Sequence, residues 1–126
     1  MKKRKVLSSI ILIIIILIVV LLFFLFYGKS ETLNLTINNV NLSLIPDGVY
    51  SGKYVKGRFN YKVEVFVKNN KIESIKILNQ TTTYLNTDKI IINRVLEKQS
   101  LDVDVVTGAT ATSKGILKAI ENALNK

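Results

Sequence analysis

The hydrophobic pattern changes period several times along the chain, and each change marks a predicted element. Residues Val6 to Tyr27, VLSSIILIIIILIVVLLFFLFY, are apolar apart from Ser8 and Ser9 and carry no charge. At about 1.5 Å per residue this run of about 22 residues reaches roughly 33 Å, enough to cross a hydrocarbon core of about 30 Å with slight tilt. Lys2, Lys3, Arg4 and Lys5 precede it, whereas Gly28-Lys29-Ser30-Glu31 behind it is much weaker in positive charge. The asymmetry predicts a cytoplasmic N-terminus, with everything after Tyr27 on the far side of the membrane. A cleavable signal peptide would carry a shorter apolar region, about 7–15 residues, followed by a small-residue cleavage site. The expectation is therefore a basic tail over residues 1–5 and an uncleaved transmembrane anchor over 6–27.

Beyond the anchor, SETLNLTINNVNLSL (Ser30 to Leu44) is polar with a period-2 trace at Leu33, Leu35 and Ile37, so residues 28–45 read as a stalk or an edge segment. Pro46-Asp47-Gly48 is a turn signal that opens the domain assigned to residues 46–126. GVYSGKYVKGR mixes β-formers with glycines, as a strand with close backbone approach does. NYKVEVFVK then alternates, with Tyr61, Val63, Val65 and Val67 on one face. Asn69-Asn70 tolerates the left-handed turn of a tight hairpin, and KIESIKIL returns as the partner strand. After the polar loop NQTTTYLN, Thr87-Asp88 starts a helix carrying Ile91, Ile92, Val95 and Leu96 at helical spacing up to Gln99. Leu101, Val103 and Val105 alternate with Asp102 and Asp104 in a short extended piece. From Ser113, the positions Ile116, Leu117, Ile120, Ala123 and Leu124 define a second amphipathic helix. The predicted fold class is α+β: a small antiparallel meander packed with two helices, preceded by a single transmembrane helix.

Composition narrows the chemistry. The chain has no cysteine and no histidine. Disulfides, lipid-modified cysteine anchors, thiolate-held clusters, imidazole metal sites and His-assisted nucleophiles are all excluded, so redox work needs a cofactor. The formal charge of +9 includes the four basic residues of the N-terminal tail, which leaves 14 of the 18 basic residues against 9 acidic ones. They are scattered singly, without a stripe or interleaved aromatics, so no nucleic-acid partner is expected. A solvated surface facing an anionic membrane or wall accounts for the surplus. Asp102 and Asp104 could pair on a metal, but a solvated edge is the simpler reading.

DVVTGATATSK, from Asp104 to Lys114, holds more hydroxyls than a helix start requires. Small side chains at Gly108, Ala109 and Ala111 admit a ligand close to the backbone. Free N–H groups and the helix dipole favour an anion there, and Thr107, Thr110, Thr112 and Ser113 add hydroxyl donors. A phosphate site and a plain polar turn capped by Thr112 or Ser113 both fit the spacing. The stretch is not a Walker A loop, because Ser113 stands where that motif needs its second glycine.

Asp104-Val105-Val106-Thr107-Gly108-Ala109-Thr110, followed by Ala111-Thr112-Ser113, resembles the flavinylation motif of FMN-binding domains, the family that includes flavin-carrying subunits of sodium-pumping NADH:quinone reductase and Rnf-type complexes. The likeness covers about Pro46 to Leu124: PDGVYSG, the VEVFVKNNKIESIKIL hairpin, the helix leading to SLDVD, and TGATATS with its closing helix. It implies a covalent FMN, joined by a phosphoester to Thr110, with Thr107, Gly108, Ala109, Thr112 and Ser113 around it and a separate flavin transferase as the installing partner. Many members carry a His/Asn and a Glu-Thr pair after the hairpin, where this chain has Asn79-Gln80-Thr81-Thr82-Thr83. Tyr54, Phe59 and Tyr61 are the aromatics available for stacking on a ring, and each also suits the core.

The resemblance implies an electron-transfer flavoprotein more than a stand-alone enzyme: anchored in membrane lipid, extracytoplasmic, and placed between a membrane electron-donor complex and an external acceptor. An anchored interaction or assembly subunit, holding FMN loosely or not turning over, is the rival class. A reductase with its own substrate is disfavoured by the small domain, the lack of a dinucleotide motif and the absence of His and Cys.

Overall fold

The structure is a computed structural model and describes residues 1–80 and 83–125. The sequence-predicted α+β class holds. Helix α1 spans Lys2–Phe26, and none of its residues is buried. Its isoleucines, leucines, valines and phenylalanines all face outward, an exposed apolar surface that water does not tolerate. It is one helix near the N-terminus that is long and apolar enough to cross a membrane, a test that a signal sequence also passes. Tyr27 leaves the helix in an extended conformation, Gly28 turns the chain at φ 78, and a five-residue helix α2 (Lys29–Leu33) comes at once after it.

Three antiparallel strands form the sheet in the order β1-β2-β3, with β1 at Gly48–Lys56, β2 at Phe59–Lys68 and β3 at Lys71–Ile77. The alternation read in β2 is the burial pattern found: Tyr61, Val63, Val65 and Val67 are buried, and the opposite face is wetter. Asn69 and Asn70 both take positive φ, as the hairpin requires. In β3, Ile72 and Ile75 are three apart, which a strict period of two cannot place on one face. A bulge opposite Phe66/Val67 resolves this: Val65 faces Ile75 and Val67 faces Ile72, so both isoleucines enter the core.

Helix α3 (Thr87–Lys98) lies against β3, and helix α4 (Thr110–Leu124) covers β1 and β2. The end of α3 is fastened by Gln99, whose amide accepts from the Ile72 N–H at 2.7 Å and donates to the Ile72 carbonyl at 3.0 Å. Ile91, Val95, Ile116, Leu117 and Ile120 are all at most 2% exposed; burying each contributes about 1.5–3 kcal/mol. Close approach of α4 to β1 depends on Gly52, because a Cβ there would collide with the backbone of Ala119 and Ala123.

Two segments differ from the expectation. Residues 34–41 form neither a free stalk nor a strand: they run over α4 as a strap. The period-2 trace is its half-buried side, with Leu33, Leu35 and Ile37 turned inward and the residues between them exposed. Polar contacts fasten the strap, because the Asn38 N–H donates to Glu121 Oε1 at 3.0 Å and the Leu101 N–H to Asn39 Oδ1 at 3.1 Å. Glu121 is almost wholly buried, and its other oxygen lies 2.5 Å from the Lys118 ammonium. Leu101 to Val105 pairs with no strand; Arg94 donates to the Asp104 carbonyl at 2.7 Å and Lys98 to that of Asp102, so side chains supply partners for these two carbonyls in place of a ladder.

Gly52→Ala should lower the urea midpoint with an unchanged m-value, corresponding to about 1–3 kcal/mol of overpacking at the β1–α4 contact.

Candidate functional site

The turn before α4 is built by one serine. Ser113 is fully buried; its hydroxyl donates to the Ala109 carbonyl at 2.7 Å and accepts from the Val106 N–H at 3.0 Å. The Ala109 N–H in turn donates to the Val106 carbonyl at 2.9 Å, closing a four-residue turn in which Gly108 has φ 80. A side chain strains that backbone, and glycine does not. The helix consequently starts at Thr110, three residues before the serine that the sequence pattern assigns as its first residue, with Ala109 at the cap position and no side-chain cap bond. Neither Thr112 nor Ser113 is the N-cap. Both stand inside the first turn, where Ser113 is occupied in holding the loop.

With Thr110 first in the helix, the N–H groups of Thr110, Ala111 and Thr112 have no intrahelical acceptor. These residues border a cavity of about 690 Å³, lined by Gly108, Ala109, Thr110, Ala111 and Thr112 on one side. Phe59, Tyr61, Arg58, Gln80, Thr83, Tyr84, Lys29 and Leu33 line the rest. The volume is in the range of small-molecule and cofactor sites. Of the six candidate residues, the structure brings Gly108, Ala109, Thr110 and Thr112 to the cavity. Thr107 is exposed on the loop and outside the lining, and Ser113 faces the interior. Of the three candidate aromatics, Phe59 and Tyr61 line the cavity. Tyr54 instead donates its hydroxyl to Thr32 Oγ1 at 2.7 Å.

Sequence reasoning missed Arg58, Lys29, Leu33 and Tyr84 as lining residues, and took Gln80 and Thr83 only as substitutes for a family pair. Arg58 comes directly after the turn glycine Gly57, and its guanidinium lies 5.1 Å from the Phe59 ring centre. Thr81 and Thr82 lie outside the described residues. Thr83 makes a reciprocal pair with the first turn of α3: its hydroxyl accepts from the Asp88 N–H at 2.8 Å and donates to the Asp88 carboxylate at 2.7 Å. A buried carboxylate thus stands directly behind the cavity wall. The lining itself, among the described residues, has two cations and no carboxylate. Burial pushes the Tyr61 phenol above its ordinary value, and the Thr112 hydroxyl beside it offsets part of the effect. Asp102 and Asp104 are exposed, and among the described residues no cluster of carboxylates could hold a metal ion.

Cations, flat aromatic rings, hydroxyls and a helix start around one cavity are the donor set of an aromatic phosphate ester. A comparison with protein families matches the FMN-binding domain over residues 55–125. The chain belongs to the FMN-binding domain family. A search of curated proteins finds no match to it. In this FMN-binding chain the matched region contains β2, β3, both domain helices and the whole hydroxyl-rich turn. The residues present fit FMN: Arg58 and the α4 N-terminus suit its phosphate, and Phe59, Tyr61 and Tyr84 its ring system.

Ser113→Ala leaves the Val106 N–H buried without its acceptor and should cost about 1–3 kcal/mol in urea unfolding, more than Thr107→Ala on the exposed loop. Because the folded-state value of Tyr61 is raised, the stability tied to its neutral form is complete below the ordinary value near 10.0 and is lost as pH rises through the folded value. The stability of Tyr61→Phe relative to wild type should therefore rise as pH is raised past 10.0, read as urea midpoints across the alkaline range.

Proposed function

We propose that the chain is a membrane-anchored flavoprotein that holds FMN covalently on Thr110 and relays electrons between a membrane reductase and an external acceptor. The observation that carries this reading is the position of Thr110. It is half-buried, first in α4, and on the wall of the cavity inside the family region. Its side-chain oxygen is the one hydroxyl of the turn that is neither used internally nor turned to solvent nor packed beside Tyr61.

A Thr110 phosphoester forms when its oxygen bonds to the flavin phosphorus and the hydroxyl proton is lost. The bond that breaks must belong to an activated donor, such as the pyrophosphate link of a flavin dinucleotide, whose nucleoside monophosphate departs. The chain has no His or Cys to act as base, and an external flavin transferase supplies that step. Once attached, FMN supplies one- and two-electron chemistry that this side-chain inventory lacks. The free N–H groups of α4 hold the phosphate, Arg58 balances its charge, and the aromatic wall orients the ring and excludes water. A covalent link suits an extracytoplasmic position, where a dissociated cofactor is not recaptured. The basic tail before α1 and the weakly charged segment after it support that orientation, with α1 in membrane lipid and the donor complex beside it.

Co-expression with a flavin transferase tests the proposal. Denatured wild type and Thr110→Ser should carry flavin fluorescence into an SDS gel, and Thr110→Val should carry none. Equal fluorescence in the valine variant overturns the attachment site. A colourless wild type that still captures a membrane partner indicates an anchored assembly subunit instead.

A further inference from the structure

Helix α2 lies outside the matched family region, yet it lines the cavity with Lys29 and Leu33. Several contacts fasten it there. Thr32 is completely buried, donates to the Gly28 carbonyl at 2.6 Å and accepts from the Tyr54 hydroxyl on β1. The Lys114 ammonium of α4 donates to the Leu33 carbonyl at 2.7 Å. Glu31 pairs with Lys56 at 2.9 Å, and the Lys56 ammonium also lies 5.6 Å from the Tyr27 ring. At the joint itself a Cβ on Gly57 would run into the Tyr27 carbonyl. One on Gly28 would sit 2.7 Å from the Lys56 side chain. The end of α1 and all of α2 are thus seated on the β1–β2 turn and on α4.

The direction of α4 puts the cavity at this same pole. Gly52 of β1 meets Ala119 and Ala123, whereas Tyr54, two residues on, lies beside Gly115. Moving along β1 toward Lys56 therefore means moving along α4 back toward Thr110. The anchor joint, the β1–β2 turn with Arg58, and the helix start with Thr110 share one end of the domain.

We propose that α2 is a built-in wall of the flavin site and that Lys29 is a second cation, beside Arg58, that faces the negative charge of the bound cofactor. The proposal rests on the FMN reading and extends the site beyond the family region to the segment that joins anchor to domain. Lys29 is half-buried at the edge of the cavity, where its ammonium lies 5.5 Å from the Phe26 ring centre, and the cavity wall holds no carboxylate among the described residues to neutralise its charge. A cation so placed favours whichever form of the cofactor carries more negative charge. Two-electron reduction with uptake of one proton adds one negative charge, so Lys29 raises the reduction potential and α2 shields the ring from water.

Flavinylated full-length chain in detergent micelles tests this, with dithionite as reductant and a reference dye for the potential. Lys29→Gln should lower the reduction equilibrium constant about tenfold, roughly 30 mV for a two-electron couple, and Lys29→Arg should restore most of it. Thr32→Val, which removes the hydroxyl that seats α2, should at least double acrylamide quenching of the flavin fluorescence. Unchanged potential in Lys29→Gln and unchanged quenching in Thr32→Val, with flavin attached in every variant, overturn the inference while the FMN reading stands. Absence of flavin from wild type overturns both.

Discussion

The contact between β1 and α4 is the constraint on which the site depends. Gly52 lets the helix backbone rest on the strand, and Gly115 leaves room for the Tyr61 ring, whose Cε2 would be 2.6 Å from a Cβ placed there. Two absent side chains thereby fix both the height of α4 above the sheet and its position along the strand. Everything at the helix start inherits that placement: the free N–H groups, Thr110, and the wall shared with Phe59 and Tyr61. Because a core packs near crystal density, a shift of the helix would move the cavity as a unit.

The hydroxyls of the turn divide by burial. Ser113, wholly inside, replaces a missing backbone partner and holds the loop in the conformation that Gly108 permits. Thr112 packs beside the buried Tyr61 phenol. Thr107 is at the surface. Thr110 remains, half-buried on the cavity wall, with the helix N–H groups around it. A single motif thus combines hydroxyls held inside the fold with one left open on the cavity wall, and local folding, more than composition, separates them.

Much of the fold is legible in the sequence because it is set by period. The alternation of β2, the Asn69-Asn70 hairpin and the helical spacing of Ile91 and Val95 each reflect one face buried against one partner. The sequence pattern places the start of α4 three residues late, since a serine preceding an apolar run looks like a cap until its hydroxyl is found bonding backward to Ala109. The strap over α4 is unreadable for a related reason. Its few apolar residues have a weak period, and its placement comes from long-range polar contacts such as Asn38 to Glu121. Lys29 and Arg58 escape notice in the sequence because scattered lysines and arginines normally mark solvent, and only the tertiary fold brings these two to one cavity.

The most direct measurement is a fragmentation mass spectrum of the tryptic peptide Gln99 to Lys114, taken from membranes of cells that make the chain together with a flavin transferase. This one peptide contains Thr107, Thr110, Thr112 and Ser113, so a single spectrum compares all four hydroxyls. The expected result is the mass of an FMN phosphoester on Thr110 alone. An unmodified peptide, or the same mass placed on Thr107, Thr112 or Ser113, contradicts covalent attachment at Thr110.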